Sequence, residues 1–320
     1  MKSLSDKSFI TFSRIVIALA VLFLCDRGIG YLMKYLYFNQ QSGDGYLITY
    51  AIDSTQADVL ILGSSRAKHS YDPEIFEDSA ALSCFNAGRD GTEHLLFSYG
   101  QFKAVTSRYN PEIIILDIRP EDLTYSAKEY DMLSPLLPYY NSHDEIKELL
   151  LERGPFEGLK HISAIYPYNS LVFQVIMGNL EMNKKRKIHY NGYVPFRDSR
   201  VKGEIDSLPV QYTSPDKYKK GLLEEMIRTC NEAGIRLIFV YSPTWHLVSV
   251  NAYDSLLAAM CNENHIEYLN LSNHHEFLKN PGYFFDRTHL NDKGARVFTT
   301  MLIREIEIPE NNSGSVNQKP

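Results

Sequence analysis

The stretch Val59-Leu60-Ile61-Leu62-Gly63-Ser64-Ser65-Arg66 decides the fold of this sequence. Its first four residues form an apolar run that stops at a glycine, which is typical of a short strand buried on both faces of a sheet. Similar runs occur at Ile113 to Leu116 and at Ile235 to Val240, and a shorter strand is predicted at Glu267 to Leu271. The segment from Tyr218 to Asn231, just before the third run, has the periodicity of a helix.

Two further helices are predicted, at residues 251 to 264 and at Asp292 to Ile306. Strands that alternate with helices indicate an α/β fold with a parallel sheet covered on both faces. The alternation fades between about residues 121 and 215, where seven prolines occur. We expect an insertion of helices and loops there, packed over the carboxyl ends of the strands. Its basic run Lys184 to Lys187 is either a solvated face or a contact with anionic lipid or polysaccharide.

The amino terminus contains an apolar run of 17 residues, Phe9 to Cys25, in which Arg14 is the only charge. As a helix this run is about 26 Å long, close to the hydrocarbon thickness of about 30 Å. Basic residues precede it and no small residues mark a cleavage site before Cys25, so we predict an uncleaved signal anchor with a cytoplasmic amino end. A buried amphipathic helix is the alternative. The predicted division is an anchor at 1–38, a domain at 39–308, which begins with a polar and aromatic linker, and a disordered tail at 309–320.

The composition excludes several classes of protein. The net charge of the 320 residues is −6, so no basic excess is present to bind a nucleic-acid backbone. The four cysteines show no C-x-x-C spacing and predict neither a metal site nor a disulfide framework. His274-His275 is a weak metal candidate, because adjacent residues point in different directions. We therefore predict no metal and no cofactor, and the sequence does not give the oligomeric state.

Three segments place reactive or flexible residues at predicted strand ends, where open parallel sheets bind ligands. A tight turn at Gly63 can present the hydroxyl of Ser65, although Ser65 could instead be a helix N-cap. In the second segment, Asn86 to Gly91, the two glycines let backbone amides approach a reacting atom, or form an ordinary turn. In the third, Asp286 precedes His289 by three residues and can fix the tautomer of its imidazole, as part of a catalytic or a structural pair.

Taken in order, the three segments resemble the conserved blocks of the SGNH/GDSL hydrolase superfamily. The resemblance covers about residues 55 to 118 and 216 to 305, and it implies a three-layer α/β/α fold of flavodoxin type. It also implies that Ser65 is the nucleophile and that His289 and Asp286 complete a catalytic triad. The amides of Ser65 and Gly91, with Gly88 as the alternative to Gly91, would form the oxyanion hole.

This sequence departs from the third block of the family. The asparagine that donates to the oxyanion in that block is absent from the segment Asp117-Ile118-Arg119. Arg119 could donate instead, or Asp117 and Arg119 could form a structural ion pair. Asn86 is a further residue expected near the pocket. Trp245 or His246 is expected to border it, with simple packing as the alternative. The resemblance implies an extracytoplasmic esterase or O-acyltransferase acting on an acylated surface polysaccharide, with acetyl as the expected acyl group. The alternative is a non-catalytic envelope protein of the same fold that binds glycan or an assembly partner.

Overall fold

The computed structural model describes residues 2–91, 95–182, 191–208, 214–249 and 252–308. The predicted basic run Lys184 to Lys187 and the predicted tail at 309–320 lie outside these ranges. The α-helices of the described ranges are Lys2–Phe38 (α1), Gly43–Asp53 (α2), Ser65–Ser70 (α3), Pro73–Ala80 (α4), Leu95–Thr106 (α5), Ala127–Asp131 (α6), Asp144–Leu151 (α7), Glu157–Lys160 (α8), Val172–Asn179 (α9), Lys217–Ala233 (α10), Ala252–Glu263 (α11), His275–Leu278 (α12) and Asp292–Glu305 (α13). The strands are Val59–Leu62 (β1), Cys84–Asn86 (β2), Ile113–Asp117 (β3), Asp206–Leu208 (β4), Arg236–Tyr241 (β5), His246–Val248 (β6) and Glu267–Asn270 (β7).

Five strands form a parallel sheet in the order β2-β1-β3-β5-β7, which confirms the predicted α/β fold. The central strand β3 pairs Ile114 with Leu60 on one side and Leu116 with Phe239 on the other. The carboxyl ends of all five strands therefore meet at one edge of the sheet. A separate pair, β4 with β6, is also parallel, and the sequence pattern does not predict it.

Alternate residues of the strands enter two hydrophobic cores. Leu60 and Leu62 belong to a core that includes residues of α5 and α10, whereas Val59 and Ile61 pack with residues of α13. Every residue of β1 is buried, as expected for a strand whose two faces are covered.

Local signals explain where the main helices begin and end. The Asp216 side chain accepts hydrogen bonds from the first turn of α10, and Gly234 ends this helix in the left-handed conformation with φ +70°. Asn291 caps α13 by accepting from the amide of Gly294 at 3.0 Å. Helix α2 was not expected. Residues predicted to be a linker form it because Ile48, Ala51 and Ile52 bury one face in the core.

Helix α1 confirms the predicted apolar helix at the amino terminus and extends beyond it. Its part from Ser8 to Phe38 is long and apolar enough to cross a membrane, with a mean hydropathy of 2.3 over its most apolar 18 residues. That 18-residue stretch is not buried in the protein, unlike the buried amphipathic helix considered as an alternative. This length and composition are compatible with a membrane anchor or a signal sequence.

Candidate active site

Ser65 lies at the carboxyl edge of the sheet, where β1 turns into α3. Gly63 makes this turn with φ +145°, and a Cβ at this position would lie 2.8 Å from the Cβ of Ala67. The Oγ of Ser64 accepts from the amide of Arg66 at 3.3 Å, so Ser64 is the N-cap of α3. The N-cap alternative considered for Ser65 therefore applies to its neighbour, and the Ser65 side chain has a different partner.

That partner is His289. The Oγ of Ser65 lies 2.8 Å from the Nε2 of His289. On the other side of the ring, Nδ1 lies 2.9 and 3.0 Å from the two carboxylate oxygens of Asp286. Because a carboxylate can only accept, Nδ1 carries the proton and Nε2 is left to accept from the serine hydroxyl.

The loop between Phe284 and Leu290 holds Asp286 and His289 together. An antiparallel bridge joins Phe284 to Leu290, and the amides of Thr288 and His289 donate to Asp286 at 2.8 and 2.9 Å. Burial alone would raise the pKa of Asp286, but hydrogen bonds from His289 and Thr288 outweigh it and hold the pKa well below its ordinary value. Asp286 is therefore an anion at neutral pH. A hydroxyl, an imidazole and a carboxylate in this order can activate the hydroxyl as a nucleophile.

Comparisons of the chain with protein-family models, with curated proteins and with solved structures found no match.

Asn86 supports the site from behind. Its Nδ2 donates to the carbonyls of Ala67 at 2.8 Å and Tyr71 at 2.9 Å, and its Oδ1 accepts from the amide of Gly88 at 3.0 Å. Asn86 is buried, so it fixes α3 rather than bordering an open pocket as expected. Because the amide of Gly88 already donates to the side chain of Asn86, Gly88 is disfavoured as the alternative oxyanion donor.

Gly88 and Gly91 differ in their surroundings. A Cβ at Gly88 would lie 2.5 Å from the amide nitrogen of Lys68, so glycine is required where this loop packs on α3. Gly91 has φ +69° and open space around its Cα. Together with Arg89 and residues between 128 and 174, it lines a cavity of about 280 Å³.

Three aromatic rings that the sequence analysis did not identify lie beside His289. The ring of Phe196 stacks on His69 and on Phe285, with centroids 3.9 and 4.0 Å apart, and it lies 5.7 Å from the ring of His289. The Nε2 of His69 lies 2.8 Å from Asp90, and its Nδ1 lies 2.5 Å from the carbonyl of Val194. The sequence contains one indication of His69. It follows Ser65 by four residues, so the two side chains lie on the same face of α3.

Lys68 ties the loop before Gly91 to α2. Its Nζ lies 2.7 Å from Asp44 and 3.1 Å from Asp90, and its side chain is almost completely buried. Burial alone would lower the pKa of Lys68, but the two carboxylates raise it. The buried cation therefore holds Asp90, and with it the approach to Gly91, close to α3.

Asp117 and Arg119 do not form the ion pair considered above. Asp117 is buried against the guanidinium of Arg66 and accepts from the hydroxyl of Tyr71 at 2.7 Å. Arg119 pairs with Asp122 at 2.8 Å. The two side chains are apart because Asp117 ends β3 facing α3, whereas Arg119 starts the turn that contains Asp122. Asp117 is therefore held in a buried pair with Arg66, and Arg119 in a separate pair with Asp122.

Trp245 or His246 was expected to border the pocket, with simple packing as the alternative, and both are almost fully buried, at 5% and 6% exposure. Trp245 packs on Phe284 with ring centroids 5.7 Å apart. The Nδ1 of His246 lies 2.5 Å from Asp206, which also contacts Arg287 at 2.7 Å. Both residues therefore support the loop that carries Asp286 and His289 rather than facing a ligand.

No cluster of three or more histidine, cysteine or carboxylate side chains suited to a metal ion occurs in the described ranges. The adjacent rings of His274 and His275 lie 4.7 Å apart without a further ligand of this kind.

Proposed function

We propose that this chain is a serine esterase or O-acyltransferase of the SGNH type, acting on ester-linked, O-acetyl groups of a cell-surface polysaccharide. The observation that carries the proposal is the 2.8 Å contact between the Oγ of Ser65 and the Nε2 of His289, with Asp286 on the far side of the ring. In this proposal the three residues are a catalytic triad.

The proposed reaction has two halves. His289 accepts the proton of Ser65 as its oxygen attacks the ester carbonyl, and the amides of Ser65 and Gly91 stabilise the negative oxygen that forms. His289 then gives this proton to the departing alcohol, which leaves an acyl group on Ser65. A water molecule or a sugar hydroxyl, deprotonated by His289, takes the acyl group and restores the serine.

The proposed fold is the three-layer α/β/α arrangement of flavodoxin type. It is supported by the strand order β2-β1-β3-β5-β7 and by the two cores that cover the faces of the sheet. In the proposed topology α1 is an uncleaved signal anchor that keeps the catalytic domain outside the cytoplasm. The basic residues before the apolar run of α1 support this orientation.

A carbohydrate substrate is supported by the proposed anchor of α1, which would hold the site at the cell surface, and by the resemblance stated above. The aromatic rings beside His289 are already covered. Phe196 is stacked between His69 and Phe285, and the guanidinium of Arg200 lies over the Phe285 ring, 4.5 Å from its centroid. Ser65 is only partly buried and therefore keeps some exposure to a substrate.

Labelling with a fluorophosphonate probe tests the nucleophile. Wild-type protein should be labelled, and Ser65→Ala should abolish the labelling. Ser64→Ala is the matched control, because it removes a neighbouring hydroxyl whose contact is with the amide of Arg66. Equal labelling of wild type and Ser65→Ala would show that the nucleophile is elsewhere. Assays with O-acetylated glycans, with and without an acceptor sugar, would then separate hydrolysis from transfer.

A non-catalytic envelope protein is the second candidate, and the absence of the third-block asparagine favours it. In the segment from Asp117 to Arg119, Asp117 pairs with Arg66 and Arg119 pairs with Asp122, and loss of one oxyanion donor typically costs about 10²–10³ in rate. Binding of polysaccharide without probe labelling and without ester turnover would support this candidate.

A further inference from the structure

A cleft of about 680 Å³ lies between the outer half of α1 and the segment from Pro138 to Tyr168, separate from Ser65. Its floor forms where the two elements touch, since a Cβ at Gly30 would lie 2.4 Å from the Cβ of Ala164. The lining combines aromatic and proline rings with polar side chains. These include Tyr31, Phe38, Tyr168, Lys34, Asn141 and His161.

The position of the cleft along α1 places it at a membrane surface. The apolar run from Phe9 to Cys25 fills about 26 Å of helix, and Asp26 and Arg27 follow it directly. If that run crosses the hydrocarbon core of about 30 Å, the residues from Asp26 outward lie at the level of lipid headgroups. The exposed Tyr31 is in this part of the helix, where tyrosine is enriched in membrane proteins.

The acidic groups near the cleft already have partners. Asp26 accepts from the hydroxyl of Ser163 at 2.5 Å and from the amide of Ala164 at 2.9 Å, and it pairs with Arg27. Asp53 pairs with the Nε2 of His143 at 3.1 Å. Glu157, whose carboxylate lies 3.8 Å from the Nε2 of His161, pairs with Arg153 at 2.9 Å and Lys160 at 3.0 Å. These contacts neutralise the carboxylates that would otherwise repel an anion.

Two donors in the cleft remain unused. Lys34 is exposed, and no carboxylate pairs with it in the part of the chain that the structure describes. His161 is stacked on Tyr140 with centroids 3.5 Å apart, and neither of its buried ring nitrogens has a hydrogen-bond partner among the described residues. Burial lowers the pKa of His161 to about 4, so its neutral ring offers one N–H donor. The contact of its Nε2 with Glu157 is 3.8 Å long, too long for a hydrogen bond, so the ring keeps an unused N–H in a wall of the cleft.

The segment that leads into His161 carries three exposed apolar side chains, which we call the rim of the cleft. Phe156, Leu159 and Ile162 are spaced three residues apart around α8, and they are 66%, 63% and 64% exposed. Ile162 directly follows His161, and its carbonyl accepts from Arg27 of α1. The rim is therefore joined to the exposed apolar surface of α1, which makes a lipid leaflet its natural occupant rather than a soluble protein.

We propose that this cleft binds the phosphate headgroup of a membrane lipid, with Lys34 and His161 as donors to the phosphate and Phe156, Leu159 and Ile162 inserted in the same leaflet. The phosphate supplies the negative charge and the acceptor oxygens that the two donors lack. The acyl chains continue along the rim and the apolar surface of α1. The site anchors the domain at a fixed height and orientation, independently of any reaction at Ser65.

Binding is tested on the full chain in an uncharged detergent, with dioctanoyl phosphatidylglycerol as the probe and native mass spectrometry to count bound molecules. We expect one saturable site. Dioctanoylglycerol lacks the phosphate and glycerol 3-phosphate lacks the chains, so both should bind much more weakly. Equal binding of glycerol 3-phosphate would identify a site for a soluble phosphate compound, and equal binding of dioctanoylglycerol would identify a purely apolar site. Either result would overturn the proposal.

Two substitutions test the donors. Lys34→Gln should weaken binding of the phosphatidylglycerol probe by about tenfold, as expected for a charged hydrogen bond. Lys279→Gln, at an exposed lysine of another surface, is its control and should bind as wild type. His161→Phe keeps the stack on Tyr140 and removes both ring nitrogens, so it should weaken binding with little change in thermal unfolding. Unchanged affinity in both cleft variants would overturn the proposal.

The rim is tested in vesicles of phosphatidylcholine and phosphatidylglycerol. A fluorophore is attached to Ile162→Cys, or to Leu247→Cys as the control, in chains that also carry Cys25→Ser. Lipids brominated on their acyl chains should quench the probe at position 162 and not the exposed probe at position 247. Absence of quenching at position 162 would show that the rim lies outside the leaflet and would overturn this part of the proposal. None of these three experiments uses the serine, so their results stand apart from the labelling of Ser65.

Discussion

The Oγ of Ser65 and the Nε2 of His289 lie 2.8 Å apart although 224 positions separate the two residues in the chain. The contact arises because Ser65 follows β1 and His289 precedes α13, and α13 packs directly on α3. The site therefore depends on the packing of two distant helices, and not on a local motif. Substitutions on the two sides of this contact should therefore change catalytic activity and folding stability to different extents.

Replacing Asp286 tests the orientation of His289. An asparagine can donate to Nδ1 and favour the wrong tautomer, so Asp286→Asn should lower kcat for ester hydrolysis by about 10³–10⁴. The measurement is the steady-state rate with an activated acetyl ester. Asp58→Asn is the control, because Asp58 bonds Ser83 just before β1, at the opposite edge of the sheet. A kcat for Asp286→Asn within a few-fold of wild type would contradict the role given to Asp286.

The low pKa of Asp286 also sets the sign of a pH effect. A carboxylate whose folded pKa is lowered stabilises the fold above its unfolded pKa of about 4, and this contribution is lost as the pH falls through the folded pKa. The difference in Tm between wild type and Asp286→Asn should therefore be constant from pH 7 to pH 5 and shrink below about pH 4. A difference that already disappears at pH 6 would mean that another group is responsible.

The pair of Arg66 and Asp117 should matter for stability through burial. Asp117→Ala would leave the buried guanidinium unpaired, which typically costs about 3–5 kcal/mol. The double variant Arg66→Met with Asp117→Leu should recover much of this loss, since an apolar pair needs no desolvation of charge. Thermal unfolding of the detergent-solubilised chain measures both. Glu232→Ala, which breaks an exposed pair with Arg228, should cost less than about 1 kcal/mol. A similar cost for Asp117→Ala and Glu232→Ala would contradict the buried character of the first pair.

The features that the sequence predicts are those with a strong local signal. The apolar run of β1 identifies a strand covered on both faces, and parallel strands bring their carboxyl ends to one edge, where Ser65 and His289 meet. Helix α10, Lys217–Ala233, contains the segment from Tyr218 to Asn231 whose periodicity predicts a helix.

Features that depend on long-range partners could not be predicted. The partner of Asp117 is Arg66 of another element, and nothing in the spacing of Asp117 and Arg119 reveals this. Strand β2 has only three residues, too few for a periodic pattern. Phe196 lies beside His289 because residues 191 to 194 form backbone hydrogen bonds with β2 and α3. This segment is neither helix nor strand, so no periodic pattern in its sequence predicts where it runs.

Gly192 allows the segment from residue 191 to Phe196 to pack closely against β2. It has φ +88°, and a Cβ would lie 1.8 Å from the carbonyl oxygen of Asn86. Gly192→Ala should push residues 191 to 196 away from β2 and shift Phe196 relative to His289, which should lower kcat/KM by about 10²-fold. Gly221→Ala is the matched control. Its Cβ meets open space inside α10, so it should raise stability by about 0.5–1 kcal/mol and leave kcat/KM unchanged. Normal activity in Gly192→Ala would show that this segment does not position the site.

The cysteines give a test of burial and of the membrane segment together. All four are free thiols, and Cys84, Cys230 and Cys261 are buried, whereas Cys25 is exposed on α1. Burial raises the pKa of Cys84 well above its usual value and raises the pKa of both Cys230 and Cys261 to about 12, so these thiols should stay unreactive at pH 8. In detergent a maleimide should modify Cys25 alone, as shown by intact mass and by its loss in Cys25→Ser. In intact vesicles a charged, impermeant maleimide should modify Cys25 much more slowly than a cysteine at the exposed position 247 (Leu247→Cys), because the thiol of Cys25 then lies at the edge of the hydrocarbon core, where the reactive thiolate is disfavoured. Labelling of Cys25 as fast as that of position 247 would place Cys25 in water and contradict the proposal that α1 spans the membrane.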